Sequence, residues 1–94
     1  MTIKEIRQKI SDIDEKIISL IAKRQELAVE LALIKHRDGL PIRDEERRTN
    51  VLKKVFNYAV EQQIDPVYVQ QIFEILLEMS EERQRECSGE GNLP

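Results

Sequence analysis

Apolar residues recur along the first third of this chain at steps that alternate between three and four. Ile3, Ile6, Ile10, Ile13, Ile17, Leu20, Leu27, Leu31 and Ile34 share one register, and Arg24 is the single charged member of it. That spacing is the a/d seam of a heptad helix. Thr2, with Glu5 three residues on, has the form of a capping box, and Gly39 is a natural stop. The seam predicts a helix from about Thr2 to His36, roughly 50 Å long at the α-helical rise.

Glycine and proline punctuate the rest. They fall at Gly39 and Pro41, at Pro66, and at Gly89, Gly91 and Pro94, with none between. A second helix is predicted from Asp44, an N-cap residue followed by Glu45 and Glu46 where the helix dipole favours acids. Val51, Leu52, Val55, Phe56 and Ala59 give it an apolar face, and it ends near Gln62 or Gln63. A third is predicted from Asp65-Pro66, an N-cap with proline at the first helical position. Its stripe is Val69, Ile72, Phe73, Ile75, Leu76 and Met79, and it fades near Arg85. From Cys87 the residues are small and polar, which predicts a disordered tail over 87–94 behind one helical domain over 1–86. No strand pattern or internal repeat is present, so the fold class is all-α, a three-helix protomer with one long N-terminal helix.

These lengths bear on assembly. Helices of about 20 residues are ~30 Å long and leave part of a 50 Å seam bare. A continuous exposed apolar stripe marks an interface, and a symmetric homodimer through the first helix is the simplest way to cover it. A chain of 94 residues also buries only a thin core by itself.

Composition narrows the function. The net charge of −3 gives no global field for nucleic acid, so any anion site must be a local cluster. No apolar run is long enough to span a membrane, and the charged opening Met1-Thr2-Ile3-Lys4-Glu5 has no signal-peptide core, which predicts a cytoplasmic protein. Cys87 and His36 are the only cysteine and histidine, which argues against a disulfide or a Cys/His metal site.

Several polar residues stand out. Arg24 is either a register-fixing residue with its head in water or a ligand-binding cation. Lys35 lies eleven residues on, about 20° away around the helix, and Ala28, between them, is small. A cation, a gap and a second cation on one face suit a ligand with two negative groups. Arg7 is 17 residues before Arg24, or ~26 Å along the axis, so only an antiparallel partner helix brings both to one small molecule. Asp44 and Arg47, one turn apart, read as a surface ion pair. Ser80 and Gln84 share a face of the third helix. The run Glu81-Glu82-Arg83 beside them reads as a solvated face.

Together these residues resemble the all-helical, type II chorismate mutases. The likeness rests on Arg7 with Ile10, Asp14 and Ile17-Ile18; on Arg24-x-x-Leu27-Ala28; on Lys35; on Pro41-Ile42-x-Asp44-x-x-Arg47; and on Ser80-x-x-x-Gln84. It covers residues 3 to 85, and the order and spacing carry it rather than any one motif. The resemblance implies an intertwined homodimer with two sites, each taking Arg24, Lys35, Asp44, Arg47, Ser80 and Gln84 from one chain and Arg7 from the other. It implies conversion of chorismate to prephenate by a concerted pericyclic shift, without metal or cofactor. Arg7, Arg24 and Arg47 would surround the two carboxylates. Lys35 and Gln84 would donate to the ether oxygen, Ser80 would support a carboxylate, and Asp44 would accept from the ring hydroxyl. Lys35, Gln84 and Arg24 are the expected catalytic residues.

One substrate-binding position departs from the family. Its members usually carry a glutamate after the arginine of Asp-x-x-Arg, where this chain has Arg48. Three outcomes follow: Asp44 handles the hydroxyl alone with Arg48 turned to solvent, the pocket prefers a relative of chorismate, or activity is weak. The intact Asp-x-x-Arg pair favours the first. Two alternatives remain: an isochorismate pyruvate lyase of the same fold, and a non-catalytic helical dimerisation module.

Overall fold

The periodicity becomes three helices in a computed structural model that describes residues 1–88. Helix α1 spans Ile3–Asp38, α2 Glu45–Glu61 and α3 Pro66–Ser88. Each begins where a side chain satisfies backbone donors that the first turn leaves without partners. Thr2 Oγ1 accepts from the Glu5 N–H at 3.1 Å, and Asp44 Oδ1 from the Arg47 N–H at 3.0 Å. Asp65 Oδ1 accepts from the N–H groups of Val67 at 2.9 Å and Tyr68 at 3.4 Å, while Pro66 has no donor to satisfy.

The ends of α1 and α3 run slightly past the predicted limits, and α2 stops at Glu61, one residue short of its own. Helix α1 continues to Asp38 and stops at Gly39, in the left-handed region at φ 68°, where the Leu40 N–H reaches the Lys35 carbonyl at 2.8 Å. Helix α2 is closed by a device the sequence does not announce: Gln63 takes φ 60°, and the Ile64 N–H donates to the Ala59 carbonyl at 3.1 Å. Helix α3 runs on through Cys87 to Ser88, whose hydroxyl donates to the Arg85 carbonyl at 3.0 Å. The remainder of the predicted tail, 89–94, lies outside the described residues.

Among the described residues, α1 and α2 each pack on α3 and not on one another. The buried apolar residues are Ala28, Ala32, Val51 and Ala59. Three of the four are alanines, so the helices approach closely but withdraw little apolar area from water. Leu52, Val55, Phe56, Val69, Phe73, Leu76 and Leu77 are half-buried around them. The expected α3 stripe is therefore split, because Ile72, Ile75 and Met79 are exposed. Two side chains tie the helices by reaching backbone carbonyls: Gln70 donates to Leu52 at 3.1 Å and Gln25 to Met79 at 3.4 Å.

The heptad seam is bare. None of its nine apolar residues is less than 42% exposed, and every residue before Ile21 is exposed. The chain presents 7638 Å² of accessible surface. A folded monomer of this mass presents about 5,600 Å². Its longest dimension, 54 Å, is that of α1 alone.

The two left-handed positions make opposite predictions. A Cβ at Gly39 would meet nothing within 4 Å, so Gly39→Ala carries only the conformational cost. It should lower stability by about 1 kcal/mol, and Gln63→Gly should raise it by a similar amount. Urea unfolding at one protein concentration checks both.

Candidate functional site

The three helices and the α1–α2 loop enclose a half-open cleft of about 290 Å³. Arg24, Ala28 and Lys35 line it from α1, and Ile42 and Asp44 from the loop. Arg47, Arg48 and Val51 line it from α2, and Leu77, Ser80, Glu81 and Gln84 from α3. The residues singled out in the sequence converge here, with one exception. Arg7 lies on the exposed first half of α1 and is not part of this chain's own cleft.

A chain of hydrogen bonds crosses one wall. Lys35 Nζ donates to the Ile42 carbonyl at 2.6 Å and to Gln84 Oε1 at 2.8 Å, and Gln84 Nε2 donates to Ser80 Oγ at 3.0 Å. An ammonium has three N–H donors and an amide two, so Lys35 and Gln84 each keep one for a ligand. Gln84 is almost fully buried, which fixes its amide between its two neighbours. Burial of the Lys35 ammonium lowers its pKa below the ordinary lysine value, against the raising pull of the Asp44 and Glu81 carboxylates.

Arg24 leaves the apolar seam for the cleft, with its guanidinium carbon 5.8 Å from the centre of the Phe73 ring. A guanidinium at this distance from an aromatic face is attracted to the ring without using up its N–H donors. Arg47 does not form the surface ion pair expected with Asp44, because that carboxylate accepts from the Arg47 backbone N–H instead. Among the described residues, Arg24, Lys35 and Arg47 have no carboxylate within 4.0 Å. Three cations around one small cavity, none of them in a direct ion pair among the described residues, make a site for an anion with more than one negative group.

Two expectations are corrected. The Arg48 side chain is 15% exposed, and Nη1 donates to Glu81 Oε1 at 3.3 Å rather than turning to solvent. Glu81 does not belong to a solvated face: the residue is 9% exposed and lines the cleft. The signal was present, because Leu77, Ser80, Glu81 and Gln84 stand at i, i+3, i+4 and i+7, the period of one helix face. It was masked by the charge of Glu82 and Arg83, which are exposed.

A larger and more open groove lies on the other side of Glu81, lined by Gln25, Arg43, Glu78, Arg83, Arg85 and others. Its cations have acids at hand, as Arg83 with Glu86 at 3.0 Å and Arg85 with Glu82 at 3.4 Å. It thus lacks the unmatched charge of the cleft. Among the described residues no cluster of three or more His, Cys, Asp or Glu side chains is placed to hold a metal ion. No described helix is long and apolar enough to cross a membrane.

Comparison with known proteins gives a consistent result. The model of the family chorismate mutase type II matches residues 6–85. The chain is 39% identical over 82 residues to the chorismate mutase of Methanocaldococcus jannaschii, covering 87% of this chain and 83% of that protein. It is 35% identical over 75 residues to the bifunctional chorismate mutase/prephenate dehydratase of Escherichia coli K12. That match takes in 80% of this chain and 19% of the longer protein. The corresponding bifunctional protein of Enterobacter agglomerans is 36% identical over 75 residues, with the same coverage.

The lowered pKa of Lys35 has a measurable consequence. Between it and the ordinary lysine value the unfolded chain binds the additional proton, so this group makes stability rise as pH climbs through that interval. Lys35→Met should remove that rise. Denaturant unfolding of both proteins across the alkaline range checks the difference, and a flat or falling difference would contradict it.

Proposed function

This chain belongs to the chorismate mutase type II family, and from that membership we propose that it converts chorismate to prephenate in the cleft, as a homodimer whose partner supplies Arg7. It is an isomerase of aromatic amino-acid biosynthesis, a setting in keeping with relatives that join a chorismate mutase to a prephenate dehydratase. The observation that carries the site assignment is the set of unmatched cations, Arg24, Lys35 and Arg47, beside the Lys35–Gln84–Ser80 hydrogen bonds.

The rearrangement is pericyclic, so the protein has no proton to move and no covalent bond to make. It must fold the enolpyruvyl arm over the ring and hold it there, which is an orientation effect. It must also meet charge growing on the breaking ether oxygen with donors already in place. Arg24, Arg47 and the partner subunit's Arg7 hold the two carboxylates, and Ser80 supports one of them. The remaining N–H groups of Lys35 and Gln84 donate to the ether oxygen. The second oxygen of Asp44 accepts from the ring hydroxyl, and Arg48 forms part of the wall.

The dimer rests on two supports. The seam of α1 is bare, and the chain's surface exceeds that of a monomer of its mass by roughly 2,000 Å², enough for a stable interface. Arg7 also lies ~26 Å along α1 from Arg24 and reaches a cleft only on a partner. The enzyme works in the cytoplasm on this reading, in line with its single cysteine and its charged helices.

Incubation with chorismate should yield prephenate and little pyruvate. Salicylate and pyruvate from isochorismate, with no prephenate from chorismate, would replace the reaction with that of a lyase. Arg24→Ala should lower kcat/KM by about 100-fold or more while far-UV circular dichroism stays helical.

Arg7→Ala and Arg24→Ala chains, each inactive, should complement one another when mixed and refolded. A mixed dimer has one site with both defects and one with neither, so random pairing should restore about a quarter of native activity. Proven heterodimers without recovery would refute a shared site.

A further inference from the structure

Glu81 is the one buried acid among the described residues, and it stands between the cleft and the charged groove behind it. Three arginines approach its carboxylate. Arg48 Nη1 donates to Oε1 at 3.3 Å, while Arg43 Nη1 and Arg85 Nη2 lie 3.8 Å and 4.0 Å from Oε2. Arg43 and Arg85 have nearer acids of their own, in Glu45 and Glu82. Arg48 has no other ion-pair partner among the described residues. A charged group at this depth needs a counter-ion, and each of these two serves the other.

The pair alters the charge that the cleft offers. Its lining carries four cations, Arg24, Lys35, Arg47 and Arg48, and two acids, Asp44 and Glu81. With Arg48 bound to Glu81, a ligand meets the other three cations. Without Glu81, a fourth guanidinium on a flexible stem would stand beside the same small space. A fourth cation attracts any small dianion and offers the substrate carboxylates a second, unproductive partner.

We infer that Glu81 is a positioning residue: it holds the Arg48 guanidinium against the wall as a counter-ion, which keeps Arg48 from binding anions in the cleft and so narrows the site to its substrate. The inference rests on the cleft being the substrate site, and its test has a binding arm that needs no turnover.

Inorganic phosphate, a small dianion with no ring or hydroxyl arm to recognise, is the probe. Its affinity is measured by calorimetry on the native dimer and on the variants Glu81→Gln, Arg48→Met and the double variant. Glu81→Gln should bind phosphate on the order of tenfold more tightly than the native protein, the effect of one added charge-assisted contact. The double variant should bind it no more tightly than Arg48→Met alone. In parallel, Glu81→Gln should lower kcat and KM for chorismate together, the mark of unproductive binding.

Unchanged phosphate affinity in Glu81→Gln, or a gain that persists without Arg48, would overturn the inference. A purely structural role for Glu81 would lower stability without tightening phosphate. If Glu81→Gln fails to fold, the exchanged pair Arg48→Glu with Glu81→Arg carries the test. Phosphate affinity within threefold of native supports the inference, and a larger change overturns it. A native protein that leaves chorismate untouched would remove the functional reading while the phosphate comparison still decides the role of Glu81.

Discussion

The ammonium of Lys35 reaches the carbonyl oxygen of Ile42 and the side-chain oxygen of Gln84, and so joins the end of α1, the α1–α2 loop and the last turns of α3 at one atom. Much else hangs from that point. The loop it holds carries Asp44, which caps α2 and thereby sets where Arg47 and Arg48 leave the helix. The amide it holds is turned so that its nitrogen meets Ser80. The cost is visible in the lysine itself, whose charged form is disfavoured by burial. Proteins commonly accept such local strain on stability where a site must be arranged before its ligand arrives.

The rest of the fold is sparing. Alanines at the helix contacts let α1 and α2 lie close against α3, but they bury little area. Most of the large apolar residues are exposed, along the whole length of α1 and on parts of α2 and α3. A chain built this way places its main hydrophobic term outside its own boundary, which gives the proposed dimer both its driving force and its role in completing the site. Folding, assembly and formation of the site would then be one event.

Charge is arranged as economically as packing. Among the described residues, Arg24, Lys35 and Arg47 at the cleft have no carboxylate within ion-pair distance, whereas the cations behind it, Arg83 and Arg85 among them, lie beside acids of the same helix. Arg48 belongs to the first group by position and to the second by pairing, because α3 supplies Glu81 opposite it. The charge of Arg48 on α2 is thus matched by a carboxylate on α3.

Local order was legible along the chain. The heptad spacing of α1, the caps at Thr2, Asp44 and Asp65, and the stop at Gly39 are set by interactions within a few residues, so the sequence alone determined the three helices and nearly all their limits. It also marked Arg24 as foreign to its seam, and it grouped Ser80 with Gln84. Gln63 escaped, since a left-handed residue that is not glycine carries no local sign. What the tertiary structure decided is long-range: Lys35 meets Gln84 across 49 positions, and Arg48 meets Glu81 across 33. Which side of a charged helix is buried depends on what the neighbouring helix brings to it. Glu81 and Glu82 are adjacent and chemically alike, yet the packing of α3 against its neighbours buries one beside Arg48 and leaves the other exposed.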